Sequence, residues 1–479
     1  MKTYYISSLI LQNFNNQKQT NLKINNVIKY LFLFLSVYSF GQNPSFKIKY
    51  SEQLAVYVFL QNLSDYYPEN VFKSEFEKSK YNVEKYKSLI SKFDELSISY
   101  SFRFEDFPYG SKKTMQTIDF LKKNLIETDN LNDFKLRSVG MIPNKTLSDL
   151  GNCISEFTPI YNELIYNPNK EKFEKQLDEI IKYSNEHQIE DYFATGLVFY
   201  NSSWDNSIPF EAAFYPLPNS KGFTASAFCN NFVSAIQTDL KSHKDLFSVM
   251  MHETYHIIYD EQSLEVKTAI DTYFKENKSK CSNYAYQLLN EVLATALGNG
   301  YVYEKLDGKI DEGEWYNNKY INLMARQIYP LTKEYIEQKK PIDKNFIDQY
   351  IRLYESNFPD WINEMNNIMT YRYVITENQK DFNTINKMFR YRSRTEYEDQ
   401  ITESSIEKMQ NTPLTKVVII SKDSKEKIQL LKGKFKELKN WKANPDKEFA
   451  EKILLGDKSQ LIIVNQKKTS LESLIESIK

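Results

Sequence analysis

Histidine is nearly missing from this chain, with four in 479 residues. Cysteine is rarer still: Cys153, Cys229 and Cys281. So low and odd a count excludes a disulfide-rich scaffold. An excess of one charge is missing too. The 62 basic and 63 acidic residues leave a net charge of -1, which removes any electrostatic argument for nucleic acid or an anionic membrane as partner. No long hydrophobic run is present. The longest, residues 30–40, falls well short of the roughly 20 residues that a stable bilayer span needs. Glycine is scarce at 12, a compositional bias that carries no function. No fixed-period repeat is found, which excludes a solenoid or propeller. The length allows two or three domains with real cores.

The short apolar run still has a meaning. Lys29 precedes it, and no acidic residue occurs before Glu52. Ser39 and Gly41 are small residues at -3 and -1 of a cleavage point before Gln42. Residues 1–41 therefore read as a signal peptide with an extended N-terminus, and the expectation is an exported protein, periplasmic or secreted. Export permits one disulfide. Cys229 and Cys281 flank the segment of interest and are the pair to test, against an equally expected set of free thiols.

Residues 42–190 form a helical N-terminal region, with apolar residues at helical spacing over Glu75–Phe93, Lys112–Ile126, Thr146–Tyr166 and Lys170–Tyr183. After Asp191 the texture changes. Phe193–Tyr200 and Phe210–Tyr215 are short and β-rich, and Gly222–Gln237 has room for one or two strands. A helix with a clear start follows: Ser242 and Asp245, three apart, precede Leu246, Phe247, Val249 and Met250. Residues 331–410 return to helical texture. Residues 411–479 read as a small α/β segment, with buried-strand runs at Lys416–Ser421 and Gln460–Asn465, a Lys-rich helical stretch between them, and a last helix after Thr469.

Two of the four histidines stand in His252-Glu253-Thr254-Tyr255-His256. On a helix, positions i and i+4 share a face, so two imidazoles can bind one Zn²⁺. Glu253 can then reach a metal-bound water as general base. With histidine this rare, the pattern is expected by chance about 0.002 times in such a chain. A zinc site also wants a third protein ligand. His243 lies about 13 Å along the helix axis from His252, and Asp260 about 12 Å, both too far to share one ion with it. Nothing around His187 suggests a site. Glu291 is the better candidate: it sits among Leu288, Val292, Leu293 and Thr295 on a helical segment, where an unpaired carboxylate is costly.

His252-Glu253-x-x-His256 followed by Asn290-Glu291-x-x-Ala294 resembles the gluzincin metallopeptidases, the thermolysin-like clan. The likeness covers residues 191–303 at most. It implies an α+β, helix-rich fold with a zincin-like catalytic domain over 191–330, made of a small sheet and the active-site helices. It implies that His252, His256 and Glu291 bind zinc, that Glu253 is the catalytic base, and that the substrate is a peptide or protein. Thr295 stands four residues after Glu291, where such enzymes commonly carry an aspartate. Tyr259 and Gln262 stand where a metzincin would have its glycine and third histidine. A strand beside the active helix is expected to take substrate backbone, from Phe223–Phe228 or Phe232–Gln237. Tyr301 and Tyr303 are weak candidates for an oxyanion donor. The alternative is an exported binding protein that has lost catalysis and keeps the zinc for structure.

Overall fold

A computed structural model of the chain describes residues 45–109, 114–218 and 222–479. The signal-peptide reading of 1–41 lies outside these residues, as do Lys112 and Lys113 of one expected helix. The described residues are rich in helix, with small sheets, an α+β arrangement. None of their helices is long and apolar enough to cross a membrane.

Strand β1 (Phe46–Tyr50) belongs to the first sheet. Strands β2 (Ser101–Arg103) and β3 (Thr114–Gln116) pair only with each other, antiparallel. Strands β4 (Phe210–Leu217), β5 (Ser226–Phe228) and β6 (Asn231–Gln237) complete the first sheet in the order β1-β4-β6-β5. The first three of these are mutually parallel, and β5 runs antiparallel along the edge. The second sheet has the order β10-β11-β9-β7-β8, from β7 (Tyr371–Ile375), β8 (Arg394–Glu398), β9 (Thr415–Ile420), β10 (Phe449–Leu454) and β11 (Gln460–Asn465). Only β10 is antiparallel.

Both sheets are buried on two faces, as parallel strands require. Side chains alternate along a strand. On β4 and β6, Ala213, Tyr215, Val233 and Ala235 face a helical N-terminal core. That core includes helices α1 (Glu52–Leu63) and α2 (Asn144–Tyr161), packed on each other. Ala212, Phe214, Phe232 and Ile236 face the opposite way, into the largest core. This core also holds α3 (Ile189–Tyr200), α4 (His243–Asp260) and α5 (Ser282–Ala294). The second sheet joins it through Val374, Val417, Ile419, Ile462 and Val464. Its other face packs Ile375, Val418, Ile420 and Ile463 under the helices that carry Ile406, Met409, Ile428 and Leu431.

Several expectations need correction. Phe193–Tyr200 is helix, not strand. Its aromatic and branched residues favour strands only weakly; packing decides, because Ile189, Phe193, Gly196 and Tyr200 recur at helical spacing and are buried. The helix ends on Asn201 in a left-handed conformation, φ 51°. Residues 331–410, expected as helical, also contain β7 and β8, and the 42–190 region contains β1 to β3. The Lys-rich stretch is helical over Ser424–Lys434 and, as a short 3₁₀ turn, Lys436–Leu438, before β10 begins. Glu75–Phe93 is two helices, Val71–Glu77 and Glu84–Asp94. All three cysteines are free thiols, so Cys229 and Cys281 are not bridged. The helix after the first sheet starts as expected on Ser242, but the Ser242 side chain makes no capping bond.

Candidate metal centre

Helix α4 runs through the main core with Leu246, Phe247, Met250, Met251, Tyr255 and Ile258 fully buried around it. A helix apolar on nearly all sides is a central helix. His252 and His256 are a turn apart on it, and their Nε2 atoms are 3.2 Å apart. Glu291, from α5, places Oε2 3.8 Å from His252 Nε2 and 3.5 Å from His256 Nε2. Among the described residues this is the group of three ligand atoms placed close enough to hold one ion. Tetrahedral coordination at about 2.0–2.1 Å puts ligand atoms roughly 3.3 Å from one another, close to what is seen. Glu291 Oε2 is buried and accepts no hydrogen bond. A buried carboxylate oxygen without a donor is costly, and a metal ion relieves that cost. The residues fit zinc.

The second motif supplies more than Glu291. Asn290 Oδ1 lies 3.0 Å from His256 Nδ1. An Nδ1–H donating there turns the Nε2 lone pair toward the cluster. The three groups also set each other's charge. Burial outweighs every other influence on His252, keeping it neutral with its pKa lowered to about 3. Burial lowers the pKa of His256 too, but the Glu291 carboxylate overrides it and holds the ring charged, up at about 9. For Glu291, burial raises the pKa and the two histidines more than reverse it, down to about 2. Glu253 points into the same region, and burial raises its carboxyl above the ordinary range.

Helix α5 is held from behind. The side-chain amides of Asn283 and Gln287 both donate to the Pro413 carbonyl at 3.0 Å. Tyr284 Oη lies 3.0 Å from Thr415 Oγ1 and accepts from the Gln460 amide at 2.9 Å. The second sheet thus braces the helix that carries Glu291. In front of the cluster lies a cleft of about 650 Å³ reached by His256, Glu291, Tyr259, Gln287 and Tyr371. Arg103 of β2 and Tyr109 of the segment that follows it also line the cleft. The Tyr109 ring lies between the Arg103 and Arg394 guanidiniums, 4.3 and 4.0 Å away, and its hydroxyl donates to Glu396 at 3.0 Å.

The other histidines are elsewhere. His243 Nε2 meets the Gln176 amide at 2.9 Å, and His187 packs against Tyr183. Asp260 lines the cleft but is not in the ligand group. Neither proposed oxyanion tyrosine reaches the cluster's rings: Tyr301 packs on Tyr192, and Tyr303 lies under Lys244. The tyrosine that does is Tyr316. It stacks on His252 with centroids 5.8 Å apart, and its hydroxyl lies near enough to Glu291 to help lower the carboxyl's pKa. Tyr391 lies close enough to Tyr316 to act on its hydroxyl in turn. Both were missed because 35 tyrosines dilute any positional signal. The two candidate substrate strands differ in position. Ser226–Phe228 is the edge strand and packs on α4, whereas Asn231–Gln237 is interior. No family model, no curated protein and no solved structure matches this chain.

Proposed function

We propose that the protein is a zinc-dependent peptidase with a gluzincin-like centre: His252, His256 and Glu291 as metal ligands and Glu253 as general base. The observation that carries this reading is the Glu291 oxygen, buried without a donor and facing two imidazole nitrogens across a gap of metal-ligand size. A bound zinc ion would supply Lewis acidity for a carbonyl and a lowered pKa for water.

The chain's own groups do the rest. Asn290 holds His256 in the tautomer that presents Nε2. Glu253 follows His252 on the helix, rotated by about 100°, so it flanks the ligands without joining them. Its raised pKa suits a group that takes a proton from water and returns it to a leaving amine. The hydroxyl of Tyr316 is the donor placed to stabilise a developing oxyanion. Strand β5 offers an exposed edge beside α4 for an extended peptide to add to by backbone hydrogen bonds. Cleft walls of aromatic and amide side chains suit a peptide better than a small apolar ligand.

The test is Glu253→Gln. Zinc should remain at one per chain, while cleavage of a peptide mixture should fall at least about a hundredfold, the usual contribution of a general base. A fully active variant removes Glu253 from the mechanism. A wild-type chain that holds zinc but cleaves no peptide favours the binding-protein alternative.

A further inference from the structure

A histidine that binds metal through one ring nitrogen almost always donates its other N–H to a fixed acceptor. His256 has Asn290. On the sequence alone His252 has no such partner, because Thr295 stands one helical turn after Glu291. In the fold, His252 Nδ1 is buried and makes no hydrogen bond within normal limits. Asn299 Oδ1 is in the same condition: buried, acceptor-competent and unpaired. The Asn299 side chain and the Ala294 backbone both lie near enough to the His252 ring to raise its pKa. The Thr295 hydroxyl is also buried without a partner.

The reason is a change of helix type. Immediately after α5 the chain winds as a π-helix over Thr295–Val302. Such i→i+5 turns are rare and concentrate at functional sites. This one lies against α4 at His252. A Cβ on Gly298 would fall 2.6 Å from both the nitrogen and the Cα of His252, so only glycine permits the approach. Ser248 Oγ donates to the Gly298 carbonyl at 3.1 Å and fixes the contact. Asn299 is the next residue of the same turn.

We infer that Asn299 is the positioning residue for His252, its amide oxygen accepting from Nδ1–H when the ring binds metal, in place of a group at Thr295. This rests on the reading of His252, His256 and Glu291 as a zinc centre. The experiment measures zinc affinity by competition with a chromophoric chelator, for the full chain and for Asn299→Leu, Asn299→Asp and Thr295→Val. The leucine variant fills the same space without an acceptor and should bind zinc at least about tenfold more weakly. The aspartate variant should bind as tightly as wild type or more so, and Thr295→Val should be unchanged. A second readout is the histidine ¹H–¹⁵N spectrum of the zinc-loaded protein. The His252 Nδ1 proton should be slow to exchange in wild type and in the aspartate variant, and broadened away in the leucine variant. Wild-type affinity and a retained Nδ1 proton in Asn299→Leu would overturn the inference and leave the acceptor role to the Ala294 carbonyl. A loss confined to Thr295→Val would overturn it in favour of Thr295. A wild-type chain that takes up no zinc would overturn the metal-centre reading itself, a separate result.

Discussion

Replacing Gly298 by alanine tests the contact on which the centre's second helix depends. The added methyl would sit 2.6 Å from the His252 backbone nitrogen and Cα, and 2.7 Å from its Cβ. Ordinary carbon contacts begin near 3.5 Å, so the overlap is about 0.8 Å or more. It falls on the interior of a buried helix, where no flexible side chain can swing away. The π-helix must therefore lift from α4. Overpacking of this kind costs about 1–3 kcal/mol. Losing the bond from Ser248 to the Gly298 carbonyl adds about 1 kcal/mol. The denaturant midpoint of the metal-free protein should fall by the equivalent of about 2–4 kcal/mol. Zinc affinity should drop with it, because the lift separates Asn299 from His252 and disturbs α5, which continues into the π turn. The control is Gly433→Ala. Gly433 lies near the end of the Ser424–Lys434 helix with nothing within 4 Å of a built Cβ. That change should be neutral or stabilise by up to about 1 kcal/mol. A Gly298→Ala protein with wild-type midpoint and full zinc would refute the close-contact reasoning, and with it the account of why the π turn sits where it does.

Tyr316→Phe removes the hydroxyl beside Glu291 and His252 while keeping the ring on the imidazole; kcat should fall about 10²–10³-fold with zinc stoichiometry unchanged, and wild-type kcat would return the oxyanion role to an unidentified group. Zinc affinity should rise with pH until about 9, because the ion must displace the proton that Glu291 holds on His256; the slope is about tenfold per pH unit, and a flat profile between pH 7 and 9 would mean that His256 is already neutral. The metal-free protein should respond in the opposite sense. A histidine whose folded pKa is raised stabilises fully below its unfolded value near 6.5 and loses that contribution as pH rises through the folded value. The metal-free midpoint should therefore decline between roughly pH 6.5 and 9 by a step that the zinc-loaded protein lacks, read by denaturant titration at each pH.

What could be seen in the sequence was what the chain encodes locally. The two histidines and Glu253 are related by helical geometry alone, so their spacing was enough. Glu291 was visible because its neighbours are apolar. β9 and β11 were visible as runs of Val and Ile between polar flanks. β1, Phe-Lys-Ile-Lys-Tyr, alternates with period two and was legible in principle, but its strand character depends on β4 lying beside it, more than 160 positions away. β8, Arg-Thr-Glu-Tyr-Glu, is a polar edge strand with no apolar signature at all. Phe193–Tyr200 misled because its side chains suit a strand while its burial has helical spacing. The Gly196 there is needed for the close pass of the Tyr255 ring, a contact that no local pattern reveals.

The candidate site divides along the same line. Its ligands come from two helices whose motifs are short and readable, but what orients and supports them is not. Asn290 is adjacent to a ligand and came with the motif. Asn299 is eight residues past Glu291, and its role depends on a π turn that residue spacing alone does not announce. Tyr316 and Tyr391 arrive from segments far along the chain. The bracing of α5 comes from Pro413, Thr415 and Gln460, in a region that reads on its own as an appendage. That bracing changes what the second sheet is for. A helix that must hold a carboxylate to within about 0.5 Å of its place opposite two imidazoles cannot be left to one packed face. The second sheet and the residue pair before β9 close the other face with four hydrogen bonds to α5 side chains and a shared core. The sheet is therefore part of the candidate site's scaffold, and loss of the Thr415 hydroxyl belongs among the changes expected to act on the site from a distance.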